Sequence, residues 1–253
     1  FYHLGALGFL FFWVIAISGA YLYGFYRTGI ELSYPSVEYL TKDQWYFGGI
    51  MRSLHRYASD ALVLVMVLHL LREFILGRYR GARWFAWVTG VLLIWLIYAS
   101  GINGYWMPWD KLAQYSVVAT MEWFDWLPIF GQPLSQSFVT QEVLNDRFFS
   151  LISFSHATLP LFVLFLLWIH IMRISKPVVN PRRRLVLGML LTLLVLSLVK
   201  PVVSQGPADM GIEPRNIGID WFYLFIHPLL DVWSAGQIWA LVIGLSLLLG
   251  ILP

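Results

Sequence analysis

The sequence predicts an all-α integral membrane protein, in which a bundle of transmembrane helices is accompanied by further transmembrane helices and short interfacial helices. Hydrophobic residues make up 59% of the 253 residues and charged residues only 12%, whereas about 25% of residues in an average soluble domain are charged. Several windows come close to the ~20 apolar residues that cross a bilayer. Because short loops join these windows, we expect one bundle.

Six apolar stretches follow one another along the chain. The predicted spans are about Leu4 to Tyr26, Gly48 to Leu76, Trp84 to Met107, Arg147 to Ile174, Leu185 to Val203, and from near Gln237 to the end. The aromatic region between Pro108 and Asn145 predicts short surface helices, since Trp and Tyr collect at membrane interfaces. The sequence starts at Phe1 rather than Met and is still apolar at Pro253, so we expect it to be part of a longer chain.

The chain contains no cysteine. This excludes disulfides, thiolate-held iron–sulfur clusters and thioether-linked haem. Any metal must therefore be held by His, Met, carboxylate or backbone groups. The net charge of +3 indicates no particular partner, and no soluble segment is typical of a nucleic-acid-binding domain.

Two basic loops predict the orientation in the membrane. The loop between the second and third spans carries Arg72, Arg78, Arg80 and Arg83 beside Glu73. The loop between the fourth and fifth spans carries Arg173, Lys176, Arg182, Arg183 and Arg184. The other loops mix the signs of charge. By the positive-inside rule both basic loops face the cytoplasm or its organelle equivalent.

Four of the six histidines fall in the predicted spans as two equally spaced pairs. His55 and His69 lie fourteen residues apart in the second span, and His156 and His170 lie fourteen apart in the fourth. Fourteen helical steps return to within about 40° of the same face and rise about 21 Å. That rise is most of the ~30 Å hydrocarbon core. Each helix therefore carries two histidines on one face, near opposite membrane surfaces.

The second and fourth spans both run from the outer side inward, because one full span separates them. His55 and His156 then share a depth toward the outside, and His69 and His170 share a depth toward the inside. Two facing imidazoles at one depth are what a six-coordinate haem iron requires. The pattern predicts two haems, one above the other. Interhelical packing or a proton relay would explain one membrane histidine better than two matched pairs.

Glycines repeat the same interval in the flanking spans. Gly5 and Gly19 lie fourteen apart in the first span, and Gly90 and Gly104 lie fourteen apart in the third. Glycine lets a flat macrocycle approach the helix backbone. By depth, Gly19 and Gly104 match the outer histidines, and Gly5 and Gly90 match the inner ones. Packing of small residues between helices is the alternative explanation.

Arginines beside the histidines are candidates for the haem propionates. Arg52 and Arg56 flank His55, and Arg72 follows His69 by three residues. A guanidinium at such an offset can reach the rim of the same ring and bind a carboxylate. Snorkelling to the membrane interface is the alternative role for these side chains.

Several motifs resemble the cytochrome b family of the quinol-oxidising bc and b/f complexes. The start of the second span, RSLHR, and the end of the third, GYWMPWD, are similar to that family's sequences, the latter nearest its chloroplast-type form. Further matching segments are Pro128 to Leu134, Arg147 to Ser150, Gly206 to Asp209 and Ile219 to Phe222. The last two resemble a loop that chloroplast-type complexes carry in a separate subunit IV.

The resemblance implies a four-helix di-haem core at 1–175 and a subunit IV-like segment at 176–253, with two transmembrane helices and the outer quinol loop. It implies non-covalent haem b at both sites, quinol oxidation at the outer surface and quinone chemistry at the inner one. It also implies an iron–sulfur protein and a c-type cytochrome as partners, usually in a dimeric complex. Such complexes lie in the bacterial plasma membrane or an energy-transducing organelle membrane.

The resemblance places an outer quinol pocket between residues 108–134 and Ile219 to Phe222. The implied lining residues are Pro108, Trp221 and Phe222. The family motif there reads Pro-Glu-Trp-Tyr, and its acid accepts a quinol proton. This chain has Asp220 at that position, one methylene shorter. An aspartate that caps a short helix is the alternative interpretation.

Two further departures from the family are visible. The subunit IV-like part is fused to the core, and His3 stands where chloroplast-type proteins attach an extra haem through cysteine.

Two functions remain open: a quinol oxidoreductase subunit, or a di-haem membrane anchor that conducts electrons between quinone and a dedicated partner enzyme without bifurcation. The haem arrangement cannot separate them, whereas the outer quinol loop can.

Overall fold

The computed structural model describes residues 3–253, and its regular elements are helices. They are α1 (Leu4–Tyr23), α2 (Ser33–Lys42), α3 (Ile50–Ile75), α4 (Trp84–Trp106), α5 (Lys111–Asp125), α6 (Leu134–Phe138), α7 (Asp146–Met172), α8 (Arg183–Val199), α9 (His227–Leu230) and α10 (Ala235–Ile251). A π-helical turn, Trp45–Gly49, leads into α3, and a 3₁₀ turn, Gly81–Arg83, leads into α4. No strand forms within the described residues.

The six predicted spans correspond to α1, α3, α4, α7, α8 and α10. Within residues 3–253, three helical segments are long and apolar enough to cross a membrane: Leu4–Tyr23, Gly81–Trp106 and Asp146–Met172. Helix α3 has 26 residues, or about 39 Å at 1.5 Å per residue, but it is less apolar because it carries charged side chains. Helices α8 and α10 have 17 residues each, or about 26 Å. The predicted all-α integral membrane fold is confirmed.

Helix α2 was not expected within the polar stretch that follows the first span. Its buried positions include Val37 and Leu40, which lie three residues apart on one face. Leu40 lies so close to Gly48 that a Cβ there would approach its Cδ2 to 2.9 Å. The helix forms because Leu40 docks on the turn that leads into α3, although most of its residues are polar.

The bundle consists of two closely packed helix pairs. Helix α1 packs along α3 and α4 packs along α7, whereas α3 and α4 touch at few points. A slot therefore separates the pairs. Midway along it, Phe12 of α1, Leu93 of α4 and Val163 of α7 form a buried apolar cluster. This cluster divides the slot into two levels. We call them the outer level, which holds His55, and the inner level, which holds His69.

A loop fills the outer gap between α3 and α4. Tyr223 and Leu224 are buried at 2% and 0% exposure. The Tyr223 hydroxyl lies 2.6 Å from Ser59 Oγ on α3. On the α4 side, a Cβ on Gly101 would lie 2.0 Å from Tyr223 Cε1, so the ring rests directly against the helix backbone. The segment 219–226 therefore acts as a wedge between the two helices, and we call it the outer wedge.

Candidate functional site

The outer level brings two histidine rings opposite each other across the slot, in an edge-on arrangement. The ring centroids of His55 and His156 are 6.2 Å apart, with an interplanar angle of 73°. His55 Nδ1 lies 3.0 Å from the Ile15 carbonyl oxygen, and His156 Nδ1 lies 3.1 Å from the Ser100 carbonyl oxygen. Because a carbonyl only accepts, each Nδ1 donates its hydrogen. Each Nε2 then keeps a lone pair, which is the form of imidazole that binds a metal.

At the inner level, His170 has both a backbone and a side-chain partner, and the backbone partner is Ala86. His170 Nδ1 lies 3.1 Å from Thr89 Oγ1. His69 Nδ1 makes no hydrogen bond within residues 3–253 and lies 4.0 Å from Glu73 Oε1. Glu73 in turn gathers the basic side chains at this end of the bundle. Its ion-pair partners are Arg72, Arg78 at 3.7 Å and Arg83 at 3.6 Å.

Each of the four predicted glycines faces a different histidine. The distance from a hypothetical Cβ to the nearest imidazole carbon, Cε1, is 2.7 Å for Gly104 and His156, 2.9 Å for Gly19 and His55, 3.3 Å for Gly90 and His170, and 3.5 Å for Gly5 and His69. Each glycine thus lies at the level of the histidine that its sequence position matches. A side chain at either outer position would collide with the imidazole.

This arrangement fits haem iron. Two metal–nitrogen bonds of about 2 Å each can be placed between outer rings whose centroids are 6.2 Å apart. Among the described residues, no group of three or more His, Asp or Glu side chains is arranged to hold a metal ion. A metal bound here must therefore bring its remaining ligands with it, as haem iron brings the porphyrin nitrogens. His55 with His156, and His69 with His170, would supply the two remaining ligands of such an iron.

Arg52 lies in a buried polar network at the outer end. It donates to Thr41 Oγ1 and, at 2.8 Å, to Ser204 Oγ, and it lies 3.6 Å from Glu38. Burial acts to raise the pKa of the Glu38 carboxyl, but Lys42, Ser204 and Arg52 outweigh it and hold that pKa below its usual value. The network ties α2 to the start of α3 and to the segment that follows α8.

Arg56 joins α3 to the outer wedge. Its guanidinium pairs with Asp220 and with Asp60 and stacks over the Tyr105 ring, 4.3 Å from the ring centroid. Asp220 also accepts backbone hydrogen bonds from Phe222, at 2.6 Å, and from Tyr223, at 3.3 Å. Asp220 therefore caps the turn of the wedge with one oxygen and meets Arg56 with the other.

The three predicted pocket residues are not gathered into one enclosed site. Trp221 is 67% exposed and Phe222 is 42% exposed, and both lie on the surface beside Asp220. Pro108 is partly buried at the end of α4, where the next residue, Trp109, accepts from Ala208 N at 3.1 Å. The turn capped by Asp220 directs Tyr223 and Leu224 inward and leaves Trp221 and Phe222 on the surface.

Sequence reasoning missed three buried polar residues near the outer end. Asp60 was visible as a charge inside an apolar span, which is a signal for function. Tyr223 carried no comparable signal, because its position depends on the wedge. His227 is 1% exposed and its Nε2 lies 2.9 Å from Thr120 Oγ1. Burial lowers the pKa of His227 to about 4, so this imidazole is neutral.

Cavities of similar size lie at the outer and inner ends of the bundle. The first, of about 340 Å³, lies between the outer end of α1 and Ser153 of α7, and includes Tyr26 and Arg27 in its lining. The second, of about 390 Å³, lies at the inner end and is lined by Ala82, Trp84, Phe85 and Arg173. Arg173 stands over the Phe85 ring, 5.1 Å from the ring centroid.

Comparison with known proteins gives three similarities. Residues 1–178 match the family model described as cytochrome b/b6/petB. The chain is 34% identical over 181 residues to cytochrome b6 of Auxenochlorella protothecoides, covering 70% of this chain and 82% of that protein. It also resembles a chain of a solved structure described as hyperthermophilic respiratory Complex III, with a TM-score of 0.78, 22% identity, and coverage of 100% of this chain and 74% of that chain. This last similarity is one of fold.

Proposed function

The chain belongs to the cytochrome b/b6 family, and from this we propose that it is the di-haem subunit of a membrane quinol oxidoreductase. In this proposal it takes electrons from quinol at the outer face and passes them across the membrane through two b haems. The observation that carries the proposal is the pair of histidine levels, each with two imidazoles and two glycines.

The residues divide the work between binding and orientation. His55 and His156 would hold the outer haem, and His69 and His170 the inner one. Bound haem iron with two axial imidazoles supplies reversible one-electron transfer. The carbonyls of Ile15 and Ser100 keep the outer imidazoles in the ligating tautomer. The glycines leave room for the rings, and the mid-level apolar cluster keeps the two haems apart.

The three arginines proposed as partners of the haem propionates each have a carboxylate partner within the chain. Arg52, Arg56 and Arg72 were each predicted for this role. Arg52 and Arg56 already carry carboxylate partners at the outer end, and Arg72 pairs with Glu73 at the inner end. We retain all three as candidates, since each lies within one helical turn of a proposed ligand.

Each membrane face offers a place for quinone. At the outer face, exposed Trp221 and Phe222 present an apolar rim next to Asp220, with Pro108 at the end of α4. At the inner face, the cavity beside Arg173 lies one helical turn from His170 and combines aromatic walls with one cation. An apolar ring with two polar oxygens suits both settings.

The remaining organisation follows from the family. We propose that residues 1–175 form the di-haem core and that residues 176–253 are a subunit IV-like segment. An iron–sulfur protein and a c-type cytochrome would complete a dimeric complex, in a bacterial plasma membrane or an energy-transducing organelle membrane. No nucleic acid is involved. The partner subunits, and not this chain, determine which protein accepts the electrons from the complex.

Replacement of His69 by Leu tests the haem assignment. We expect the purified complex to lose one haem b per chain and to keep the outer haem, because only the inner level loses a ligand. His227→Asn is the matched control, since it removes a buried histidine that is not a proposed ligand, and it should keep both haems. The haem content per chain and the optical spectrum of each variant measure this difference. Two haems with unaltered spectra in His69→Leu would refute the assignment.

One observation favours the second candidate, the di-haem conduit without bifurcation. Asp220 is engaged by Arg56 and by two backbone N–H groups, and these contacts favour the charged carboxylate. Reduction of the outer haem by quinol in Asp220→Asn separates the two candidates. A large loss of rate with both haems retained supports quinol oxidation at this site. An unchanged rate and pH profile, in a complex without an iron–sulfur protein, supports the conduit.

A further inference from the structure

One guanidinium serves two carboxylates at the outer end. Arg56 Nε lies 3.3 Å from both Asp60 oxygens, and its Nη2 meets Asp220. The two carboxyl side chains are only 15% and 6% exposed. Asp60 Oδ1 also accepts no hydrogen bond within the described residues. Two negative charges and one positive charge therefore share a site with little access to water.

The groups around the site do not supply the missing positive charge. The titratable side chains that interact with Asp60 are Arg56, Tyr57, Tyr105 and Tyr223. All of them except Arg56 are phenols, and burial raises the pKa of Tyr223 further, so that it stays neutral. The neighbouring cation Arg52 is turned toward Glu38. An unbalanced charge in such surroundings is costly unless a proton neutralises it.

We propose that Asp60 and Asp220, bridged by Arg56, act as one unit that accepts a proton from quinol at the outer face. The inference rests on the proposed function. It extends that function to Asp60, a residue inside α3 that lies one turn below Arg56. Asp220 belongs to the wedge and lies beside the exposed Trp221 and Phe222, so it is the group that first receives the proton. Asp60 lies within the bundle and shares that proton with Asp220 through their common partner Arg56.

Quinol loses two protons and two electrons to become quinone. One O–H bond breaks and its proton forms an O–H bond with a carboxylate of the unit, while one electron would pass to the haem that His55 and His156 would hold. The other proton goes to the outer aqueous phase, and the other electron goes to a one-electron acceptor of the iron–sulfur class. The proton on the unit later leaves to the outside through Asp220.

Loss of either carboxylate should have the same consequence. With one carboxylate left, Arg56 balances it one to one, and the repulsion that makes the pair take up a proton is gone. The surviving carboxylate then stays charged at neutral pH. We therefore expect Asp60→Asn and Asp220→Asn each to slow outer haem reduction at least about tenfold, in the range of lost general-base catalysis. The double variant should be no slower than either single variant, because the two residues act as a unit.

The experiment uses the assembled complex and two readouts. The first is the rate at which a short-chain quinol reduces the outer haem between about pH 5 and 9. The second is the infrared C=O band of protonated carboxyl groups over the same pH range, which requires neither quinol nor turnover. Glu38→Gln is the matched control, since it removes an arginine-paired carboxylate outside the unit. Asp60→Glu should restore a large part of both signals.

The outcomes separate this inference from the proposed function. A wild-type band that grows near neutral pH, and that is absent in both single variants, supports the shared proton. A wild-type rate, pH profile and band in Asp60→Asn overturns it, as does a multiplicative loss in the double variant. If quinol fails to reduce the outer haem of the wild type, the proposed function fails. The infrared band still decides whether the two aspartates share a proton.

Discussion

At the scale of single residues, the four glycines are not equivalent. The outer pair leaves 2.7 and 2.9 Å between a hypothetical Cβ and the facing imidazole, and the inner pair leaves 3.3 and 3.5 Å. The outer imidazoles are also held at Nδ1 by backbone carbonyls, so they cannot retreat from a new methyl group while still pointing Nε2 into the slot. The outer level therefore tolerates less bulk than the inner one.

We predict that Gly104→Ala disturbs the outer haem more strongly than Gly5→Ala disturbs the inner haem. A methyl group at position 104 would meet His156 at 2.7 Å, but at position 5 it would make an ordinary contact of 3.5 Å with His69. Overpacking of this kind costs about 1–3 kcal/mol. Haem content and the spectrum of each haem measure the effect. An unaltered outer haem in Gly104→Ala would show that this glycine serves helix packing alone.

At the scale of elements, the outer wedge substitutes for direct contact between α3 and α4. Tyr223 reaches Ser59 on one helix and lies on Gly101 of the other. Arg56 and Asp220 add an ion pair across the same gap. The wedge therefore couples the outer surface to the two helices that border the outer histidine level, and its docking depends on the absence of a side chain at Gly101.

We predict that Gly101→Ala dislodges the wedge. Its methyl group would overlap the Tyr223 ring, which has no free space to occupy between the helices, at a cost of about 1–3 kcal/mol. We expect lower thermal stability and faster proteolysis between residues 205 and 230, with both haems retained. Gly188→Ala on α8 is the control, because nothing lies within 4 Å of its Cβ position. Equal behaviour of the two variants would argue against the wedge.

At the scale of the whole molecule, charge separates the two ends of the bundle. The inner end carries the basic loops around residues 72–83 and 173–184, with Glu73 as the acid that gathers three arginines. The outer end carries mixed charges in paired networks. This asymmetry predicts that the inner end faces the cytoplasm or its equivalent.

Single cysteines can test this orientation cleanly, because the chain contains none. Ile129 in the outer loop is 73% exposed and Val178 in the inner loop is 61% exposed. We expect a membrane-impermeant maleimide to label Ile129→Cys from outside intact cells, and Val178→Cys only in inverted vesicles. The opposite labelling pattern would reverse the assignment of the faces and move the proposed quinol oxidation site to the inner side.

Features that repeat along single helices could be predicted from the amino-acid sequence alone. The spans follow from runs of apolar residues, and the common face of each histidine pair follows from the fourteen-residue interval. The matching of each glycine to one histidine level follows from the same interval together with alternating helix directions. Family membership rests likewise on contiguous motifs, and the family model matches the first 178 residues. Such features are local, because helix geometry relates residue number to depth and face.

Contacts between distant charged and aromatic groups could not be predicted in this way, because they depend on how the helices and loops pack. Arg56 and Asp220 are distant in sequence, and their contact depends on the wedge entering the gap between α3 and α4. The same turn leaves Trp221 exposed and buries Tyr223, which no periodicity in that loop indicates. Asp60 and the wedge residue Asp220 have the same ion-pair partner, Arg56, and this arrangement is visible only in the folded chain. Ion pairs and docked loops are set by distances between separate segments, and sequence spacing does not encode those distances.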